Sequence, residues 1–124
     1  MKVLLSIKPE FAEKILDGSK KFEFRKGIFK NSEITTVVIY ATMPVGKVVG
    51  QFQIADVLTD NPESLWNKTK RYAGISKSFY DSYYEGRDKA VAIKIGSVER
   101  FSAPQPISSL GINIKPPQSY LYLV

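Results

Sequence analysis

The residues best suited to chemistry lie in one short stretch, Gly18, Ser19, Lys20, Lys21, Phe22, Glu23, Phe24 and Arg25. It reads as a sharp turn feeding a strand. Side chains alternate along a strand, so Glu23 and Arg25 fall side by side on one face while Phe22 and Phe24 anchor the other in the core. Lys20 is out of phase with that face and reaches Glu23 only by curling back as a turn residue. A carboxylate held between cations suits a polar ligand. It accepts from an amino or imino edge, and Lys or Arg takes a phosphate or carbonyl oxygen. The competing reading is a solvated charged strand with a surface ion pair worth little.

Other chemistry is narrowed by two absences. The chain has no His and no Cys, which excludes Ser-His-Asp and Cys-His triads, zinc fingers, haem held by His and any disulfide framework. A Ser nucleophile activated by Lys survives that exclusion. Ser6 with Lys8 and Ser19 with Lys20 are the formal candidates, although turn and capping roles explain both serines. Asp56, Asp60, Glu63, Asp81, Glu85 and Asp88 are scattered among basic residues, so no metal site is assigned, and no cofactor motif of the phosphate-loop, dinucleotide or calcium-loop kind occurs.

The formal charge is +6, from 18 Lys and Arg against 12 Asp and Glu. Lys20, Lys21, Arg25, Lys26 and Lys30 lie within eleven residues, opposed only by Glu23. Such density attracts polyanions, and Lys68, Lys70 and Arg71 extend it. Phe79, Tyr80, Tyr83 and Tyr84 could stack on bases at roughly 1 to 3 kcal/mol per base. Their spacing instead reads as neighbouring helical turns packing on the core, and Trp66 is read the same way.

These groups need elements to hold them. Lys2 to Ile7 is expected as a strand with Val3, Leu5 and Ile7 on one face. Pro9 opens a helix whose apolar stripe is Phe11, Ala12, Ile15 and Leu16, ended by Gly18. Strands follow at about Lys21 to Lys26, at Thr35 to Thr42, and at Lys47 to Leu58 with Gly50 as a bend or bulge. A helix starting at Asn61 runs to Gly74, with Leu65, Trp66 and Thr69 inside. Another runs from the Ser76 cap to Gly86. Lys89 to Gly96 or beyond is a central strand, and Tyr120 to Val124 adds a last one. Strands of uneven length with helices inserted between them favour α+β around a small mixed or antiparallel barrel. The 124 residues read as a single domain, 1–124. The apolar run Val3 to Leu5 is broken by Ser6 and stopped by Lys8 and Pro9. It falls short of a membrane span or export signal, so a cytoplasmic location is expected.

At Gly18, Lys20, Glu23 and Arg25 the chain resembles the ASCH domain of the PUA-like superfamily, whose signature is Gly-x-Lys-x-x-Glu-x-Arg. The resemblance extends to Ser6-Ile7-Lys8-Pro9, to Ile39-Tyr40-Ala41 with Pro44, and to Pro116-Pro117-Gln118-Ser119-Tyr120. It implies a mixed β pseudo-barrel of five to six strands with helices packed around it, and a cleft lined by the signature residues. It also implies binding of RNA or of modified nucleosides. In that reading Glu23 reads a base edge, Lys20 and Arg25 order Glu23 and meet phosphate or carbonyl groups, and Lys8, Tyr40 and Gln118 line the cleft. The alternative is a small metal-independent hydrolase in the same cleft, an amidohydrolase of acylated nucleosides such as N4-acetylcytidine or a nuclease, with Lys20 and Glu23 as its catalytic pair. One branch of the family removes that acetyl group with a Lys, a Thr and a Glu. Its Lys falls on Lys20, its Thr falls on Glu23, which has no hydroxyl, and Glu63 is the remaining carboxylate for its Glu. A protein-interaction domain, its charge serving solubility, is the third reading.

Overall fold

Pro9 and Gly18 bracket the first helix. The computed structural model, which describes residues 1–111 and 113–123, places strand β1 at Lys2–Ile7 and helix α1 at Pro9–Leu16. Pro9 occupies the first turn, and Gly18 follows the helix with φ of 88°, a left-handed conformation open to glycine. Strand β2 is Phe22–Arg25, β3 is Thr36–Ala41 and β4 is Lys47–Asp60. Helix α2 is Pro62–Thr69, α3 is Lys77–Tyr83, β5 is Ala90–Gln105 and β6 is Tyr120–Leu123. Short 3-10 turns occupy Lys70–Tyr72 and Ile107–Leu110. Among the described residues no helix is long and apolar enough to cross a membrane.

All six strands join one sheet in the order β2-β5-β4-β3-β1-β6. The β1 and β3 pair is parallel and the other neighbours are antiparallel, so the fold is the mixed α+β architecture expected. The curled sheet stays open, because no ladder joins its edge strands β2 and β6 among the described residues. Gly50 makes the expected irregularity: the β4 register slips beside it against both β3 and β5. A Cβ there would lie 2.5 Å from the Glu99 carbonyl and 2.7 Å from a Leu16 methyl, so only glycine allows α1 and β5 to approach so closely.

Three apolar clusters fill the space around the sheet. Val3, Leu5, Ile7, Val37, Ile39 and Ile93 pack on Ala12 and Ile15 of α1. Leu4, Val38, Tyr40 and Val48 pack on the opposite side against Ile107, Leu110 and Ile114. β1 and β3 are therefore covered on both faces. The third cluster joins Phe22 and Phe24 to Leu65, Tyr80 and Tyr84 under α2 and α3.

Several boundaries differ from expectation. The helix beginning after Asn61 stops at Thr69, where the Thr69 hydroxyl bonds back to the Leu65 carbonyl at 2.8 Å, and a 3-10 turn takes the chain to Gly74. The helix after Ser76 ends at Tyr83, and Tyr84 turns inward so that its hydroxyl donates to the Val91 carbonyl at 3.1 Å. β4 runs two residues past Leu58 to Asp60, and β5, expected to Gly96 or beyond, reaches Gln105, the two supporting each other as a long antiparallel ribbon. β6 ends at Leu123, and the Val124 part of the expected strand lies outside the described residues.

Candidate nucleotide-binding cleft

Strand alternation orients Glu23. On β2, Phe22 and Phe24 join the cluster beneath the helices, while Glu23 sits opposite Ile93 of the main core. Its carboxylate is thus carried into the inner side of the half-barrel and is only 6% exposed. The solvated-strand alternative is excluded by that burial. Burial pushes the Glu23 carboxyl above the usual carboxylate range, and Arg25 and Lys20 pull it partly back. Arg25 Nη1 bonds Glu23 Oε2 at 3.2 Å, and Arg25 Nη2 donates to the Ser119 carbonyl at 2.7 Å. One guanidinium therefore orders the carboxylate and tethers the segment entering β6.

Lys20 is buried as well, at 2% exposure. Its amide bonds the Lys14 carbonyl at 3.0 Å, which fixes the turn after α1. Its ammonium does not pair directly with Glu23. It donates to the Ala73 carbonyl at 2.6 Å and lies 4.9 Å and 5.3 Å from the ring centres of Phe24 and Phe11. Burial lowers the Lys20 ammonium to about 8, with Glu23 acting in the opposite direction. Gly74, at φ of 67°, closes over its stem: a Cβ there would meet Lys20 Cβ and Cγ at 2.5 Å. The expectation that Lys20 orders Glu23 is modified accordingly. Arg25 holds the carboxylate, and Lys20 acts on it through its field.

These groups line a cavity of about 240 Å³ with Phe11, Phe79 and Tyr83. Phe79 is 37% exposed and meets Phe11 edge-on at 5.2 Å between ring centres, with the Lys8 ammonium 4.9 Å above its ring. The expectation that all four α3-region aromatics serve core packing is corrected here. Tyr80 and Tyr84 are buried, but Phe79 and Tyr83 belong to the other stripe and wall the cavity. The signal was present in the spacing, since 79 and 83 share one helical face and 80 and 84 the next.

The signature cluster shares its cavity with Lys8 but not with Tyr40 and Gln118. Tyr40 and Gln118 line a neighbouring one of about 560 Å³, and Lys8 and Ser6 line both. Ser6 donates its hydroxyl to the Pro117 carbonyl at 2.7 Å, and Ser19 bonds Asp17 and Lys14 in the turn. Both serines are thus held by structural bonds. Glu63 lies elsewhere, in a shallow groove of about 720 Å³ between α2 and α3 with Trp66 and Asp81. That groove is larger but carries an ion pair already satisfied, Lys77 with Asp81 at 2.7 Å, and it holds none of the signature residues. Among the described residues no group of acidic side chains could hold a metal ion.

With this geometry in place, the sequence profile of the ASCH domain matches residues 5–99. The chain belongs to the ASCH domain family. This family lies within the PUA-like superfamily. An ASCH domain-containing ribonuclease of Zymomonas mobilis is 32% identical to this ASCH chain over 128 residues, covering 97% of it and 82% of that protein. Large ribosomal subunit protein uL22 of Ureaplasma parvum serovar 3 is 31% identical over 121 residues, covering 98% of the ASCH chain. The chain spans only 39% of that ribosomal protein's length. The crystal structure of ASCH from Zymomonas mobilis superimposes with a TM-score of 0.92 at 31% identity, covering 99% of this chain and 87% of that one.

Proposed function

We propose that this ASCH domain binds RNA by seating an unpaired base, ordinary or modified, in the smaller cavity. The observation that carries this is a buried carboxylate at a wall of a base-sized, aromatic-lined cavity. Glu23 is held by Arg25 and offers its oxygens to the amino or imino edge of a base, and Phe79 and Tyr83 offer ring faces and edges beside it. The +6 charge supplies the long-range attraction. The name of the Zymomonas mobilis relative as a ribonuclease supports an RNA partner. Anisotropy titrations of labelled single-stranded RNA across a salt series test the reading. Glu23→Gln and the Lys20→Ala, Arg25→Ala double variant, each shown to be folded, are expected to weaken binding about tenfold or more. Unchanged affinity in both overturns the site.

The second reading is cleavage of RNA in the same cleft. It is favoured by that relative's name and by two side chains whose proton affinities are driven towards each other. Burial brings Lys20 down to about 8 and moves Glu23 up, and an acid–base pair works best with both groups near the working pH. In this reading Glu23 takes the proton of a 2′-hydroxyl as its oxygen bonds to the adjacent phosphorus, the P–O5′ bond breaks, and Lys20 gives a proton to the departing 5′-oxygen, leaving a 2′,3′-cyclic phosphate and a 5′-hydroxyl. Incubation of labelled single-stranded RNA with excess chelator checks it. Cleavage that disappears in Glu23→Gln supports turnover, and no cleavage beyond that variant leaves binding alone. Deacetylation of N4-acetylcytidine gains no support, since the nucleophile's position is Glu23 and Glu63 lies in the separate groove.

A further inference from the structure

The two neighbouring cavities meet at the end of β1. β6 pairs with β1 only from Lys2 to Leu5, so Ser6 to Lys8 stands as an unladdered ridge on that side, and Ser6 and Lys8 line both spaces. The Ser6 hydroxyl is committed to the Pro117 carbonyl. Lys8 is exposed and has no carboxylate partner among the described residues. Its ammonium rests over the Phe79 ring, from which it can turn to an anion with little loss. Beyond the ridge, the larger cavity presents Tyr40, Thr42, Met43, Pro117 and Gln118, with Lys8 as its one charged side chain. Met43 there is 75% exposed, an apolar surface that a flat ring can cover.

Aromatic or apolar side chains wall the space on either side of the ridge, with Lys8 as the cation common to both, a pattern that suits two flat groups joined by an anion. We infer that the ligand is an oligonucleotide, with successive bases in the two cavities and the linking phosphate on Lys8. A free nucleoside fills the Glu23 cavity but brings no anion to Lys8 and leaves the Tyr40 cavity empty. This inference rests on the RNA reading and extends it from a base to a dinucleotide step.

The test is competition against a labelled single-stranded RNA dodecamer. The competitors are the four nucleosides, the sixteen dinucleoside monophosphates, and the best dinucleotide remade with an uncharged methylphosphonate link. The best dinucleotide is expected to compete about tenfold or more better than either of its nucleosides. The methylphosphonate is expected to lose that gain and to lower the salt slope by about 0.7. Lys8→Ala, with an unchanged melting temperature, is expected to bring the dinucleotide-to-nucleoside ratio to within about twofold. If the dodecamer binds but dinucleotides compete no better than nucleosides, or do not compete, the dinucleotide inference falls and the RNA reading stands. A gain that persists with the uncharged link or in Lys8→Ala removes Lys8 from the site. Failure of the dodecamer itself to bind removes the RNA reading, and this inference with it.

Discussion

Lys20 and Gly74, separated by more than fifty residues of chain, lie in close contact. Gly74→Ala places a methyl on the Lys20 stem at a left-handed φ, where neither neighbour has an easy escape. A loss of about 1 to 3 kcal/mol in urea unfolding is expected, with a matching loss of ligand affinity as Lys20 moves. Lys20 also gives the fold a signature in pH. Its ammonium sits at about 8 against an ordinary value of 10.5, so between those limits the unfolded chain binds the extra proton. Stability from this group therefore rises as pH climbs from about 8 to 10.5, by on the order of 3 kcal/mol. Glu23 works in the opposite sense. Its carboxyl is raised, so its contribution is largest at acid pH and falls as pH climbs above the ordinary carboxylate value of 4.5. Stability curves of wild type and Lys20→Met, measured from pH 7 to 10.5, should diverge in slope above pH 8, and parallel curves would show that Lys20 titrates normally. The Gly18 to Arg25 sequence marked these residues as a cluster. It did not mark Lys20 as buried, because the cover comes from Ala73 and Gly74, which no local pattern connects to residue 20.

α3 shows the same division at the level of an element. The Ser76 cap, the helix and its aromatic content were legible, because a side-chain acceptor before an aromatic periodic run is a local signal. Which aromatic stripe packs inward was not fixed by spacing alone. It depends on Phe22 and Phe24 of β2 rising to meet Tyr80, whose ring centre lies 5.2 Å from that of Phe24. Ser76 accepts the Phe79 amide at 3.0 Å, so the cap holds the first turn of the helix that presents Phe79 and Tyr83. Ser76→Ala is expected to cost about 1 kcal/mol in denaturant unfolding and to weaken RNA binding through Phe79, whereas Asn61→Ala on α2 carries a similar stability loss with affinity kept. Equal affinity losses in the two variants would show that α3 is not distinct as a wall of the cleft. The far end of β5 could not be fixed for a related reason. From Ser97 to Gln105 it is largely exposed with no apolar alternation to read, and it is held as strand by its pairing with β4.

Across the whole molecule, the order of strands was beyond the sequence, since pairing of β1 with both β3 and β6 depends on contacts over most of the chain. The open seam between β2 and β6 is crossed by Arg25, from the Glu23 carboxylate to the Ser119 carbonyl. Arg25→Met should therefore speed amide exchange in Tyr120–Leu123 about tenfold, corresponding to loss of a charged hydrogen bond of about 1.5 kcal/mol. Arg25→Lys should fall between the two, and exchange in β6 indifferent to both variants would break the link between cleft and seam. The flanking of β1 by β3 and β6 also imposes an order in time. During synthesis Val3, Leu4 and Leu5 are made more than a hundred residues before the strand that covers their free edge. At about 5 to 20 residues per second, the nascent chain carries an unmated apolar edge for on the order of ten seconds. Pausing or truncation before Tyr120 extends that exposure, and it is there, rather than in the basic cleft, that this fold is most open to capture by a chaperone or by another copy of itself.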